Sequence, residues 1–260
     1  KEIEEHLKNI SFNFIIGNPP WGKVEGLHEK YCEDRNLPIQ GKEISRSFVL
    51  RTKDFATVNT CCCLIVTSKL FYNTKSSSIE FRKWLLKNAK VHNYIELAAV
   101  RELIFSKVRG PAGVVIYQFD DDMVSNTRNE ISHLTLKPNI FFKLFNIIVI
   151  EKNDYKYVSQ TMLIENDWAW KVLVFGYSHD YNTIKNLFSR YPSVKQTIKE
   201  HKLKHGTGIH TADGEEQDAS HLIGRWLIDA KNGIRPYEVL TECGQKFNKK
   251  KIDRAKKDRQ

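Results

Sequence analysis

The run Phe12-Asn13-Phe14-Ile15-Ile16 ends on Gly17-Asn18-Pro19-Pro20-Trp21, and the two successive prolines decide what this stretch can be. Proline lacks a backbone N–H and has a fixed φ, so the pair cannot continue a sheet ladder, and each restricts the residue before it. The stretch therefore reads as a short apolar strand emptying into a rigid loop. Such a loop, at the carboxyl end of a strand, is where open α/β sheets hold ligands. It fixes two hydrogen-bond acceptors, the Asn18 side-chain amide and the Pro19 carbonyl. An exocyclic amine offers two N–H donors to such a pair, and its nitrogen lone pair is then aimed at an electrophile instead of conjugating into the ring. Trp21 adds a flat face on which an aromatic base can stack, worth roughly 1–3 kcal/mol per base. Asn-Pro pairs also form ordinary turns and Trp also fills cores, but the apolar strand ending in glycine sets this instance apart.

The rest of the chain alternates apolar runs with helical patterns. Residues 3–9 are helix-like, and Gly22 to Gly41 is polar, without periodicity, and reads as a long loop. A helix is expected from Ser45 to about Thr57, a buried strand at Cys61–Val66, and a helix capped by Ser76-Ser77-Ser78 that runs to about Asn88. Val91–Leu97 is a further strand, Glu102–Gly110 a loop and Gly113–Phe119 another strand. This order predicts an α/β fold whose sheet is covered on both faces. Its last two strands, joined by a short loop, are expected to be antiparallel neighbours. Asp120-Asp121-Asp122 reads as a solvated boundary turn. Beyond it Ile131–Leu136 and Phe145–Ile150 are strand-like, Thr183–Phe188 and Val194–His201 helix-like, and Gly206–Gln217 loop-like.

The formal net charge is +10, and Lys246–Arg259 alone carries eight basic residues against Asp253 and Asp258. A polyanionic partner fits this balance, since cations that neutralise phosphates release condensed counterions; a solvated terminal helix or tail accounts for the stretch equally well. Cys61, Cys62 and Cys63 are consecutive among five cysteines. Strand neighbours point to opposite faces, so the trio cannot converge on one metal, and it reads as small hydrophobes in a reduced, cytoplasmic setting. No apolar run approaches the roughly 18 residues of a membrane helix. His201 and His205 stand four apart without an evident third ligand, and Glu215, Glu216 and Asp218 lack a lysine at nuclease spacing, so neither a metal nor an endonuclease site is expected.

Asn18-Pro19-Pro20-Trp21 resembles the active-site signature of S-adenosylmethionine-dependent amino-methyltransferases, (Asn/Asp/Ser)-Pro-Pro-(Tyr/Phe/Trp), in particular the adenine-N6 DNA methyltransferases. The resemblance extends over about residues 10–120. Thr67-Ser68 stands where the family often has proline, and Glu102-Leu103-Ile104-Phe105 followed by Lys107 looks like its later base-flanking element. It implies the catalytic half of a Rossmann-like methyltransferase sheet with an antiparallel last strand, followed by a smaller α+β segment. By the same resemblance Asn18, Pro19, Pro20 and Trp21 would hold an adenine flipped out of double-stranded DNA, with Phe105 flanking it and Asn18 and Phe48 facing the cofactor.

The family's glycine-rich cofactor loop is not found in the 17 residues before Asn18, and Gly206-Thr207-Gly208 follows no apolar strand. The chain is therefore expected to carry only part of the cofactor site and to be inactive alone. From Asp167-Trp168-Ala169-Trp170 through Phe175-Gly176 to Gly206-Thr207-Gly208-Ile209 it loosely resembles the connector of type IIG restriction–modification enzymes. The expected organisation is a catalytic half at 1–125, a connector at 126–165 and the start of a target-recognition region at 166–260. RNA or protein-glutamine methyltransferases share the signature, and a non-catalytic DNA-binding or scaffold piece is the alternative of a different class.

Overall fold

The computed structural model describes residues 10–22, 26–38, 43–105, 110–203, 209, 217–228, 233–239 and 244–252. The chain divides into two compact units, Lys1–Arg190 and Tyr191–Gln260.

The first unit is built on a six-stranded sheet: β1 (Phe14–Gly17), β2 (Cys61–Thr67), β3 (Ala89–Glu96), β4 (Ala112–Phe119), β5 (Glu130–Thr135) and β6 (Tyr155–Ser159), in the order β1-β2-β4-β3-β5-β6. β1 pairs parallel with β2 and β3 with β5, whereas β4 is antiparallel to β2 and β3, and β6 to β5. β1, β2, β3 and β5 thus run the same way and end along one edge. The expected antiparallel pairing of β3 with β4 is present, because the short connection leaves no room for a crossover helix.

Alternation within each strand sorts the side chains. Cys62, Leu64, Val66, Tyr94, Val115 and Tyr117 are buried on one face. They share a core with Leu50 of helix Ile44–Arg51, Phe71 of Lys69–Tyr72, Phe81 and Leu85 of Ser76–Asn88, and Trp170 of Ala169–Phe175. Phe71 sits between Tyr94 and Trp170, with ring centroids 4.4 and 5.0 Å away. Burial pushes the Cys62 thiol up to about 11, which fits its role as a hydrophobe. Among the described residues the opposite face is covered less fully than the expectation of cover on both sides implies. Cys61, Cys63, Ile65, Val114 and Ile116 are only partly buried, and Phe14 and Ile16 of the edge strand are 68% and 76% exposed. A continuous apolar run looks the same whether one or both faces are covered, so the sequence pattern could not separate the two cases.

Other expectations are corrected. The polar stretch after Gly22 contains a helix, Leu27–Glu33, whose Cys32 is buried. Tyr31 on it lies under the guanidinium groups of Arg35 and Arg51, at 4.1 and 4.6 Å, a tertiary arrangement that overrides weak periodicity. Phe145–Ile150 is not a strand. Asn139 caps helix Ile140–Phe145 by accepting from the Phe142 N–H, and Asn146, at φ 55, ends it in the left-handed region. The helix Ser76–Asn88 is present, but Lys75 stands at its N-cap and no side chain caps it. Asp122 does not close the module; it caps helix Met123–Arg128, and the sheet continues through β5 and β6, beyond residue 125. Residues near 166 likewise lie within the first unit: Asp167 receives both Nε and Nη2 of buried Arg82, at 2.7 and 2.5 Å.

In the second unit, helix Val194–Glu200 opens with a capping box between Ser193 and Gln196. Gly244–Lys246 pairs with Trp226–Ile228, and Lys251–Ile252 with Gln217–Asp218, so the basic stretch begins as short strands and not as a helix. Ala219, Leu222, Phe247 and Ile252 form a small core of their own.

Candidate active site

The loop after β1 is held at both ends. At its entry Gly17 lies close to β2, where an added Cβ would stand 3.2 Å from Cδ2 of Leu64. At its exit Gly22 has φ +124, a conformation that side-chain-bearing residues rarely adopt. The Gly22 N–H donates to Oε1 of Glu43 at 2.9 Å, and its carbonyl accepts from the Ile44 N–H at 3.0 Å. Glu43 is the N-cap residue of helix Ile44–Arg51, and the Ser45 hydroxyl donates to the same carboxylate oxygen at 3.3 Å. The loop exit is thereby clamped to the start of a helix. Neither residue stood out in the sequence: Gly22 carried no visible demand for a positive φ, and Glu43 lay in a stretch without pattern.

Within the loop Pro19 is buried, while Asn18 and Pro20 are exposed. The Trp21 Nε1–H donates to the Ile65 carbonyl of β2 at 3.3 Å. Trp21 and Phe105, remote in sequence, pack on the same cluster of Leu97, Val100 and Ala112, together with Ile95 and Val114. Gly110 lies alongside, where an added Cβ would meet the indole Cε3 at 3.8 Å. This cluster occupies one end of the otherwise thinly covered sheet face, at the carboxyl ends of β2 and β3. Trp21 and Phe105 thus pack against one cluster, while Asn18 is exposed. The structure does not bring Phe48 into that cluster; Phe48 is 44% exposed on the outer side of its helix.

A buried carboxylate braces the same edge. Glu96 ends β3 and is 1% exposed. It accepts from the Ser68 hydroxyl at 2.7 Å, the Tyr94 hydroxyl at 3.0 Å and the Ala98 N–H at 2.9 Å. Burial raises its pKa from the ordinary carboxylate value, and these donors only partly offset that. Burial, with the Glu96 charge nearby, pushes Tyr72 up to about 12. Glu96 joins the turn after β2 to the turn after β3. It was missed because a single Glu ending an apolar run reads as a solvated strand end.

Lys107, His205, Glu215, Glu216 and the Gly206-Thr207-Gly208 segment lie outside the described residues. Asp218 accepts from the backbone and hydroxyl of its neighbour Ser220, at 3.1 and 2.5 Å. Among the described residues no group of three or more His, Cys, Asp or Glu side chains is placed to hold a metal ion. Among the same residues no helix is long and apolar enough to cross a membrane.

Open α/β sheets hold nucleoside cofactors with a glycine-rich turn after one strand and a free acid at the end of the next. Among the described residues no strand of the sheet leads into a glycine-rich turn, and the acid ending β3, Glu96, already accepts three hydrogen bonds. The described residues do not, by themselves, fit S-adenosylmethionine.

The model of the Eco57I restriction-modification methylase family matches residues 1–104. No curated protein matches the chain. Among solved structures it is similar to the type IIG restriction endonuclease BpuSI, at 16% identity and a TM-score of 0.47 over 66% of this chain and 22% of that one. It is similar to the type I restriction-modification methyltransferase subunit from Streptococcus thermophilus, at 14% identity and a TM-score of 0.44 over 61% and 36%. A type I restriction-modification system structure gives 12% identity and a TM-score of 0.44 over 75% and 46%. The chain spans less than half the length of each of these proteins.

Proposed function

We propose that the chain carries the base-holding part of an adenine-N6 DNA methyltransferase of a restriction–modification system. The observation that carries this reading is the loop Asn18–Trp21 at the end of β1, with Trp21 and Phe105 packed against one cluster. The family match over residues 1–104, which includes Asn18–Trp21, supports it. In this reading the Asn18 side chain and the Pro19 carbonyl accept the two N–H bonds of the adenine amino group. Trp21 and Phe105 form the walls against the ring, which must leave the duplex to reach them. Fixed acceptors raise the rate by holding the nitrogen in its reactive geometry before the reaction starts. S-adenosylmethionine is the methyl donor of such enzymes, and residues beyond the described ones would supply most of its site. Double-stranded DNA is the substrate, in keeping with the net charge of +10.

The test is transfer of labelled methyl groups from S-adenosylmethionine to DNA by the polypeptide that contains this chain, with the product base identified by mass spectrometry. N6-methyladenine is expected. Methylation of RNA or of a protein glutamine instead would redirect the reading, and DNA binding with no methyl transfer at all would favour a non-catalytic role.

A further inference from the structure

At the far end of the sheet from β1, a cavity of about 160 Å³ lies between β6 and the helices that follow it, Gln160–Glu165, Ala169–Phe175 and Ser178–Arg190. β6 stands five strand spacings from β1, about 24 Å, so this cavity is separate from the loop Asn18–Trp21. Val158, Met162, Val172, Leu173 and Tyr181 give it apolar walls, and Lys156 is the one charged residue among its described lining. Lys156 is 7% exposed. Its Nζ donates to the Leu173 carbonyl at 2.6 Å and to the Thr135 hydroxyl at 3.3 Å, and lies 5.9 Å from the ring centroid of Tyr177. Leu173 and Tyr177 both line the cavity, which puts the ammonium at its wall with two of three N–H groups engaged. Burial, helped by the Lys137 charge, lowers the Lys156 pKa to about 8, which leaves it largely cationic at neutral pH. Among the described residues no carboxylate forms an ion pair with it. Asp154 acts on it at longer range, being engaged by Lys137 at 3.1 Å and by the Glu151 N–H at 2.9 Å. His133, directly across on β5, is neutral, its pKa lowered to about 3 by burial and by the Lys156 charge.

A buried charge is ordinarily paired, and a cavity of about 150 Å³ holds one benzene ring. Size and charge together specify the occupant: one ring against the apolar walls and one anionic oxygen on the spare N–H of Lys156. The tyrosine rings at 177 and 181 favour an aromatic ring over an aliphatic one. We propose that this cavity binds a small monocyclic aromatic carboxylate, its carboxylate on Lys156 and its ring against Met162, Val172 and Tyr181. The proposal is independent of the base-holding role given to the loop Asn18–Trp21.

The chain contains two methionines, Met123 and Met162. Met162 lines the cavity, whereas Met123 is 52% exposed on helix Met123–Arg128 and does not. Carbon-13 labelling of the methionine methyls therefore gives one NMR signal at the cavity and one away from it. Titration with benzoate should move the Met162 signal saturably in the millimolar range and leave the Met123 signal in place. Benzyl alcohol has the same ring without the charge, and should bind about ten- to 150-fold more weakly, the worth of a hydrogen bond to a charged group. In Lys156→Leu the two ligands should bind alike. Lys171→Leu removes an exposed charge from helix Ala169–Phe175 without touching the lining, and should keep the difference. Absence of a saturable shift at Met162, equal movement of both methionine signals, or equal affinity of the unaltered chain for benzoate and benzyl alcohol would each overturn the proposal, as would a benzoate preference that survives Lys156→Leu. Should Lys156→Leu not fold, the comparison of the two ligands on the unaltered chain decides.

Discussion

Replacing Glu96 tests whether the edge beneath the loop is braced as described. In Glu96→Ala, the Ser68 hydroxyl, the Tyr94 hydroxyl and the Ala98 N–H lose their acceptor at once. A buried donor left unmade costs about 1–3 kcal/mol. Hydroxyl rotation and the removal of a desolvated carboxylate offset part of this, so the net loss should be about 3–5 kcal/mol. For a unit of this size that lowers Tm on the order of 10 °C. Glu96→Gln keeps one acceptor oxygen for Ser68 and Ala98, and the Tyr94 hydroxyl can turn to accept from the new amide, so about 1 kcal/mol should be lost. The pH dependence has a definite sign. Burial raises the folded-state pKa of Glu96 above its unfolded value. Its contribution is therefore fully present below the unfolded value, near 4.5, and is lost as pH rises through the folded one. Since Gln does not titrate, the cost of Glu96→Gln should be larger at pH 4.5 than at pH 7. Urea unfolding followed by tryptophan fluorescence at both pH values measures this. A loss under about 1 kcal/mol for Glu96→Ala, or a Glu96→Gln cost that grows with pH, would refute the reasoning.

Trp21→Ala and Phe105→Ala should each weaken binding of an adenine-containing strand by about 1–3 kcal/mol, roughly five- to 150-fold, in fluorescence anisotropy titrations. Gly22→Ala meets nothing within 4 Å, yet its φ of +124 should make it about 1–2 kcal/mol less stable in chemical unfolding; an unchanged midpoint would show that the loop exit can relax. His133 is fully buried, and burial together with the nearby Lys156 charge lowers its pKa to about 3. A base with a lowered pKa contributes stability above its unfolded value, near 6.5, that is lost as pH falls toward 3. His133→Phe should accordingly flatten the acid side of the stability profile measured by urea midpoints.

What the sequence made legible follows from how local each signal is. The Asn18–Trp21 loop could be read directly, because two prolines and a glycine constrain the backbone without help from the rest of the fold. The strands at Cys61, Val91, Gly113 and Ile131 were legible from composition, and the β3–β4 pairing from the length of its connection. The clamp on Gly22 and the brace at Glu96 were not, since both depend on partners from distant segments, Glu43 in one case and Ser68 in the other. The open sheet face was hidden for a related reason: apolar side chains at Phe14 and Ile16 look buried in a sequence and are exposed in the fold. The helix at Leu27–Glu33 and the end of helix Ile140–Phe145 at Asn146 show tertiary contact and capping overriding periodicity.

The most direct test of the account is the Asn18→Ala variant of the polypeptide that contains this chain, assayed for N6-methyladenine formed in DNA from S-adenosylmethionine. Removing one preorganised acceptor should lower turnover by about 10²–10³-fold while DNA affinity and the unfolding midpoint stay close to those of the unaltered protein, as befits an exposed side chain. Adenine methylation at the unaltered rate in Asn18→Ala would contradict the role assigned to the loop.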